Sequence, residues 1–188
     1  MKILDLGCAD RKYKSKNPSD EVIGVDFYEA YSYVQLAHPD KNVDVVHNLD
    51  VVPYPFEDNE FDLVVASHIL EHLKYPEKCI KEIHRILKEN GKLIVKVPHY
   101  SSATAVSFGR LGHLHYFNLA AFKTEYFTKY FKVDKTKLNY LVFRDTWYKK
   151  LINTVFSFFA NLSPRFCERF WCYWFGGFSE IEVEMVRI

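Results

Sequence analysis

A short apolar run, Ile3-Leu4-Asp5-Leu6, breaks at Gly7 almost as soon as the chain begins. That break constrains the fold more than any other stretch. An apolar run of this length closed by a glycine reads as a buried parallel strand. In open α/β sheets the carboxyl ends of such strands face the ligand crevice, where glycine lets backbone approach a ligand with no Cβ in the way. A second apolar run, Glu21-Val22-Ile23-Gly24-Val25, ends in Asp26. A carboxylate at the tip of the neighbouring strand accepts hydrogen bonds from both hydroxyls of a ribose. Together the two stretches describe a nucleoside-shaped pocket, in which Phe27 and Tyr28 either flank the base or continue into core.

The rest of the chain repeats the strand-then-crossover pattern. Val43-Asp44-Val45-Val46 alternates into a third strand, and Phe61-Asp62-Leu63-Val64-Val65-Ala66 is a β-rich run expected to be buried on both faces, leaving Ser67 and His68 at its carboxyl end. Pro76-Glu77 opens a helix with Cys79, Ile80, Ile83, Ile86 and Leu87 at helical spacing, which Asn90-Gly91 is expected to stop with a left-handed cap. Lys92 to Val97 is the fifth strand. A sixth is expected from Phe131 to about Phe143 and a last from Ile181 to Arg187, and Asn118 is expected to cap a helix running through Phe122 and Phe127.

Five ordered landmarks carry a resemblance. Leu4-Asp5-Leu6-Gly7-Cys8, Val25-Asp26, Pro55-Phe56-Glu57-Asp58-Asn59-Glu60-Phe61-Asp62, Glu71-His72-Leu73 and Glu82-Ile83-His84-Arg85-Ile86-Leu87-Lys88-Glu89-Asn90-Gly91 resemble, in order and spacing, class I S-adenosylmethionine-dependent methyltransferases, of the type 11, ubiquinone-biosynthesis-like kind. The resemblance covers about the first hundred residues. It implies an α/β fold, a Rossmann-like doubly wound sheet of about seven strands, mostly parallel with an antiparallel edge strand. It also implies S-adenosylmethionine as cofactor, held by Asp5, Gly7, Cys8, Ala9, Arg11, Asp26, Phe27, Asn48, Leu49, Asp50, Ser67 and His68. Asp50 stands five positions before the Pro-Phe pair, where the family's acidic or amide residue meets the adenine amino group; its plainer role is a turn or helix-cap carboxylate. The missing series of phosphate-cradling glycines favours a nucleoside sulfonium over a dinucleotide. One departure stands out. Ala9 and Arg11 occupy the second and third places of the family's glycine alternation.

Composition bounds the function classes. A chain of 188 residues with 48% apolar content suits one domain, 1–188. With 25 basic against 24 acidic residues, no overall field draws it to nucleic acid or to an anionic membrane, which leaves room only for a local patch. The cysteines at 8, 79, 167 and 172 form no CxxC pair and no metal-finger spacing, and there is no apolar run long enough to span a bilayer, so a reduced, cytoplasmic protein is expected.

Two regions set the acceptor. Residues 99–117 read as a lid or substrate loop over the rim, with His99 and His115 the candidate bases and His68 a third. Residues 144–177 form an aromatic helical insertion with 11 aromatics among 34 residues, nearly double the 17% of the whole chain. Doublets such as Phe158-Phe159 stand about 100° apart on a helix, so one face does not hide them all. Core, a wall for an apolar substrate and a homodimer surface are the readings, with the dimer slightly favoured over the substrate wall. His68, Glu71 and His72 at i, i+3 and i+4, with His113 and His115 on the loop, are similar to methyltransferases that hold a divalent ion with Glu-x-x-Glu-His; the Glu-His-Leu of metal-free relatives explains Glu71 and His72 equally well. Two functions therefore stand. The first is methyl transfer to a small-molecule, glycan or lipid-like acceptor by direct in-line displacement. The second is a catalytically weak cofactor-binding protein acting through protein contacts.

Overall fold

The computed structural model describes residues 1–9, 12–27, 43–103, 105, 113–141, 145–172 and 177–188. Arg11, Tyr28, Phe143, residues 104 and 106–112 of the expected lid and the aromatics at 173–175 lie outside the described residues. Seven strands form one sheet: β1 (Lys2–Leu6), β2 (Glu21–Asp26), β3 (Val45–Val46), β4 (Phe61–Ser67), β5 (Leu87–Pro98), β6 (Phe131–Asn139) and β7 (Glu180–Arg187), in the order β3-β2-β1-β4-β5-β7-β6. The first five are parallel, and β7 runs antiparallel to both β5 and β6. The antiparallel strand therefore lies one place in from the edge, and β6 is the edge. The order reverses between β1 and β4, so the crevice beyond Leu6 and Ser67 is the switch point of the sheet.

Alternation decides which face each side chain takes. Leu4 and Leu6 join Val64, Ala66, Leu93 and Val95 in the main core, which α1 (Pro76–Ile86) covers with Ile80, Ile83 and Ile86. Ile3, Leu63 and Val65 form a smaller cluster on the opposite face against Tyr13, Val22 and Ile94. β4 is buried along nearly its whole length, as its unbroken apolar run requires.

Several expected boundaries move. α1 ends at Ile86 rather than running on to Asn90, because Leu87 is extended and buried opposite Phe61, and the amides of Asn59 and Glu60 take the carbonyls of Arg85 and Ile86. Asn90 does adopt the left-handed φ of 59°, but as a turn inside the extended segment. The third strand shortens to Val45–Val46; before it, the Asp44 amide donates to the Gly24 carbonyl and its carboxylate accepts from the Gly24 amide. The helix after Asn118 divides at Thr124, whose ψ of 160° separates a 3-10 turn, Ala121–Lys123, from α2 (Glu125–Thr128); Asn118 does accept from the Ala121 amide. Residues 68–72 are turns, so His68, Glu71 and His72 do not share a helical face.

The insertion begins with α3 (Trp147–Leu162) and continues through Pro164–Phe166 into a π-helical turn, Cys167–Trp171. α3 packs on the edge strand β6, and the buried Ala160, Cys167, Cys172 and Phe178 connect it to the main core.

Candidate active site

The turn after β1 is built on left-handed backbone. Gly7 has a φ of 72°, and a Cβ there would stand 2.9 Å from Ile69 Cδ1, so both conformation and space demand glycine. Ala9 has a φ of 45°, a conformation that costs an L-residue roughly 1 kcal/mol. The backbone thus explains why glycine is expected at position 9, and shows that alanine keeps the same path.

The neighbouring strand tip holds this turn. The amides of Gly7 and Cys8 donate to the Val25 carbonyl, at 2.8 and 3.2 Å. Asp26 Oδ2 accepts from the Ala9 amide at 2.6 Å, and Oδ1 accepts from its neighbour Phe27 at 2.7 Å. Each oxygen keeps a further lone-pair direction for a ligand hydroxyl. Asp5 lies behind them, buried, with Oδ2 accepting from the Tyr13 amide. Burial pushes its carboxyl up to about 6 against that hydrogen bond, and the Asp26 charge adds to the rise. Cys8 is buried too, and desolvation followed by the Asp26 and Asp5 charges raises its thiol to about 12, so it stays protonated and is no nucleophile. Two enclosed carboxylates at one turn favour a ligand that is itself cationic.

The loop expected to meet the adenine is braced. The Asp50 amide donates to Asn48 Oδ1, and Asp50 Oδ1 accepts from the amides of Lys74 and Tyr75 just before α1. Leu49 is buried, its carbonyl accepting from the Tyr54 hydroxyl. Behind the loop, Arg85 donates to Glu82, to Asp58 and to the Tyr54 and Phe56 carbonyls. The motifs around Pro55 and Glu82 are therefore one scaffold. One Asp50 oxygen braces the segment before α1.

At the end of β4, Ser67 is half-buried and His68 takes a left-handed φ of 55°. His68 Nε2 lies 2.9 Å from Glu180 Oε2 and Nδ1 lies 3.4 Å from Glu71 Oε1. Burial would lower this imidazole, but the two carboxylates outweigh it and hold the cation up to about 9. Glu180 also accepts from Asn139 Nδ2 at 2.7 Å and is held below its usual range, its own burial outweighed by His68. Residue spacing gave no signal for Glu180, which stands 112 positions from its partner.

The two expected bases differ. His99 has no exposed surface; its Nδ1 meets Ser101 Oγ at 2.6 Å and its Nε2 meets Glu168 Oε1 at 3.1 Å. Glu168 also accepts from the Leu119 amide, so this ring clasps β5 to the insertion. A Cβ at Gly177 would overlap Ser101, which explains glycine where the insertion returns to the same rim. His115 is half-buried, with Nε2 donating to the Leu73 carbonyl, and lines a groove of about 370 Å³ with Pro76, Ile80, Tyr116, Phe117 and Phe127. That groove lies beside the rim and includes no residue of the glycine turn.

Glu71, His72 and His113 each bring one ligand-type atom within 4.8 Å of the others. The Glu71 carboxylate is buried and makes no hydrogen bond, its Oε1 facing the His68 cation at 3.4 Å, while the His113 Nδ1 donates to the Ala105 carbonyl. One carboxylate and two imidazoles are a donor set that suits a divalent ion. His115, expected near this set, is turned instead to Leu73.

Comparisons with known proteins agree with the geometry. A family described as a methyltransferase domain matches residues 4–95. An uncharacterized protein of Methanocaldococcus jannaschii is 49% identical over 53 residues, which cover 28% of this chain and 23% of that protein. A demethylmenaquinone methyltransferase of Staphylococcus saprophyticus is 34% identical over 100 residues, covering 50% and 42% of the two. The chain thus matches less than half the length of either relative. Among solved structures, a SAM-dependent methyltransferase from Archaeoglobus fulgidus superposes with a TM-score of 0.61 at 15% identity, over 98% of this chain and 85% of that one. A phosphoethanolamine N-methyltransferase from Haemonchus contortus, in complex with S-adenosyl-L-methionine, gives 0.58 at 17% identity over 98% and 48%. At these identities the structures establish the fold.

Proposed function

We propose, from a chain whose residues 4–95 match a methyltransferase-domain family, that it moves a methyl group from S-adenosylmethionine to a small-molecule, glycan or lipid-like acceptor. The observation that carries this reading is the joint between Asp26 and the turn at Gly7–Ala9. It offers a ribose-binding carboxylate beside backbone that a ligand approaches closely. The buried Asp5 and Asp26 suit a ligand with a positive sulfonium and ammonium.

When bound, the cofactor supplies a methyl group on a sulfur whose positive charge already makes it a leaving group. The chain's task is then orientation, which supplies many kcal/mol with no covalent residue. Asp26 and the turn fix the sugar end, Asp50 and Leu49 the base end, and Ser67 with His68 border the methyl side. His68 is a cation at neutral pH and so donates rather than accepts a proton there. Where the acceptor arrives protonated, His115 is better placed to take the proton than His99, whose ring is enclosed and engaged at both nitrogens. Four free, buried thiols are in keeping with a reducing cytoplasmic setting.

Calorimetric titration with S-adenosylmethionine tests the reading. Asp26→Ala is expected to weaken binding about 30-fold, roughly 2 kcal/mol, by removing charge-assisted hydrogen bonds. No heat of binding at millimolar cofactor would sink the proposal, and an unchanged dissociation constant in the variant would remove Asp26 from the site.

A further inference from the structure

We propose that the outward face of α3 and of the turn after it docks on the surface of an anionic lipid bilayer. The observation is a helix packed inside out. Asn153, Ser157 and Asn161 stand at i, i+4 and i+8, and all three face the protein. Asn153 Oδ1 accepts from the Leu141 amide at 2.8 Å and Ser157 Oγ from the Tyr140 amide at 3.0 Å. Asn161 accepts from the Leu138 amide and donates to the Leu138 carbonyl, both at 2.9 Å. The polar stripe is spent on the open edge of the sheet, and the apolar side chains are left outside.

That outside is extensive. Trp147 is 76% exposed, Phe158 61%, Phe159 65%, Leu162 67% and Phe166 59%, along consecutive turns. A water-facing surface of a soluble monomer seldom carries so continuous an apolar face, and such faces mark interaction sites. A cavity of about 410 Å³ lies between the exposed Phe159 and Phe166 and the buried Phe178, giving apolar segments of lipid somewhere to enter.

Charge selects the occupant. From 145 to 172 the basic residues are Lys149, Lys150, Arg165 and Arg169, and the acidic ones Asp145 and Glu168. Asp145 is paired with Lys149, and Glu168 is turned inward to His99 and the Leu119 amide. Arg165 and Arg169, next to the exposed Phe166 and Phe170, remain as exposed positive charge beside the aromatics. A second copy seated on this face would set these cations against their own kind, whereas anionic headgroups neutralise them. At 16 residues α3 is about 24 Å long, short of the roughly 30 Å of hydrocarbon in a bilayer. No helix among the described residues is long and apolar enough to cross a membrane. The helix therefore lies in the plane of the interface. Through the Glu168–His99 contact, the docked face is joined directly to the rim of the sheet.

Vesicle flotation of the full chain tests this without any cofactor, and so independently of methyl transfer. The chain is expected to float at least tenfold more with phosphatidylcholine vesicles containing phosphatidylglycerol than with phosphatidylcholine alone, and to be released by salt. Phe158→Asp with Phe159→Asp, both on the water-facing side, should abolish flotation. Arg165→Glu and Arg169→Glu should each lower it about fivefold. Equal flotation with both vesicles, or flotation unmoved by the phenylalanine changes, would overturn the proposal. A chain that stays off vesicles and sediments as a dimer, returned to monomer by Phe158→Asp with Phe159→Asp, would assign the face to a second copy and overturn it equally. The comparison of the two vesicles needs no variant, so a misfolded mutant leaves the test intact.

Discussion

Residues 1–98 and residues 145–172 obey opposite rules. In the first region apolar side chains fill the sheet's faces and polar ones collect at the strand ends, where Asp5, Asp26 and His68 meet the crevice. In the second, Asn153, Ser157 and Asn161 are inside while Trp147, Phe158 and Phe159 are outside. The difference lies in what each helix covers. α1 lies on the face of a sheet, which offers only side chains and rewards apolar contact. α3 lies along the edge, which offers unpaired amides and carbonyls whose burial without partners is costly. Edge demand outranks apolar burial, and the helix turns its polar stripe inward.

The largest expected effect breaks the second region. Asn161→Leu leaves the Leu138 amide and carbonyl without partners and should lower stability by about 3 kcal/mol, measured by chemical denaturation. An unchanged midpoint would show that the polar ladder is incidental.

Asp5 tests the first region next. Its carboxyl ionises in the folded state at about 6, above the ordinary 3.8, so the folded chain holds the proton more tightly. The stabilisation from this site is complete below about pH 4 and is lost as the pH rises through 6. Asp5→Asn should therefore raise stability by about 2 kcal/mol at pH 7.5 and leave it nearly unchanged at pH 4. Equal effects at both pH values would refute a carboxylate kept at the site against its folding cost.

Smaller still, Ala9→Gly should stabilise the fold by roughly 1 kcal/mol by relieving the left-handed backbone. A loss instead would mean that the methyl group of Ala9 packs usefully. The smallest effect sharpens the contrast: Phe158→Ser should change the thermal midpoint hardly at all, within about 0.5 kcal/mol, against roughly 3–5 kcal/mol for truncating a core phenylalanine such as Phe61.

Much of the first region was legible in order of residues. The turn at Gly7, the tip at Asp26, the run at Phe61 and the crossover helix from Pro76 all depend on local pattern, and local pattern is what sequence carries. Helix and strand ends were less legible. α1 closes at Ile86 because amides from Asn59 and Glu60 reach it, a contact between segments that no periodicity contains. The aromatic doublets announced that one face would not bury them all, but not which face would be left.

The sequence by itself determined the sheet of about seven strands and the glycine turn at the carboxyl end of its first strand, because the alternation of apolar side chains and the placement of glycines are properties of neighbouring residues. Only the tertiary structure decided that His99 is a clasp, that His68 answers to Glu180, that Glu71 comes beside His113, and that α3 faces outward with its aromatics. Each of those depends on which distant backbone or charge a side chain meets, and a polar group removed from water takes whatever partner the fold brings to it.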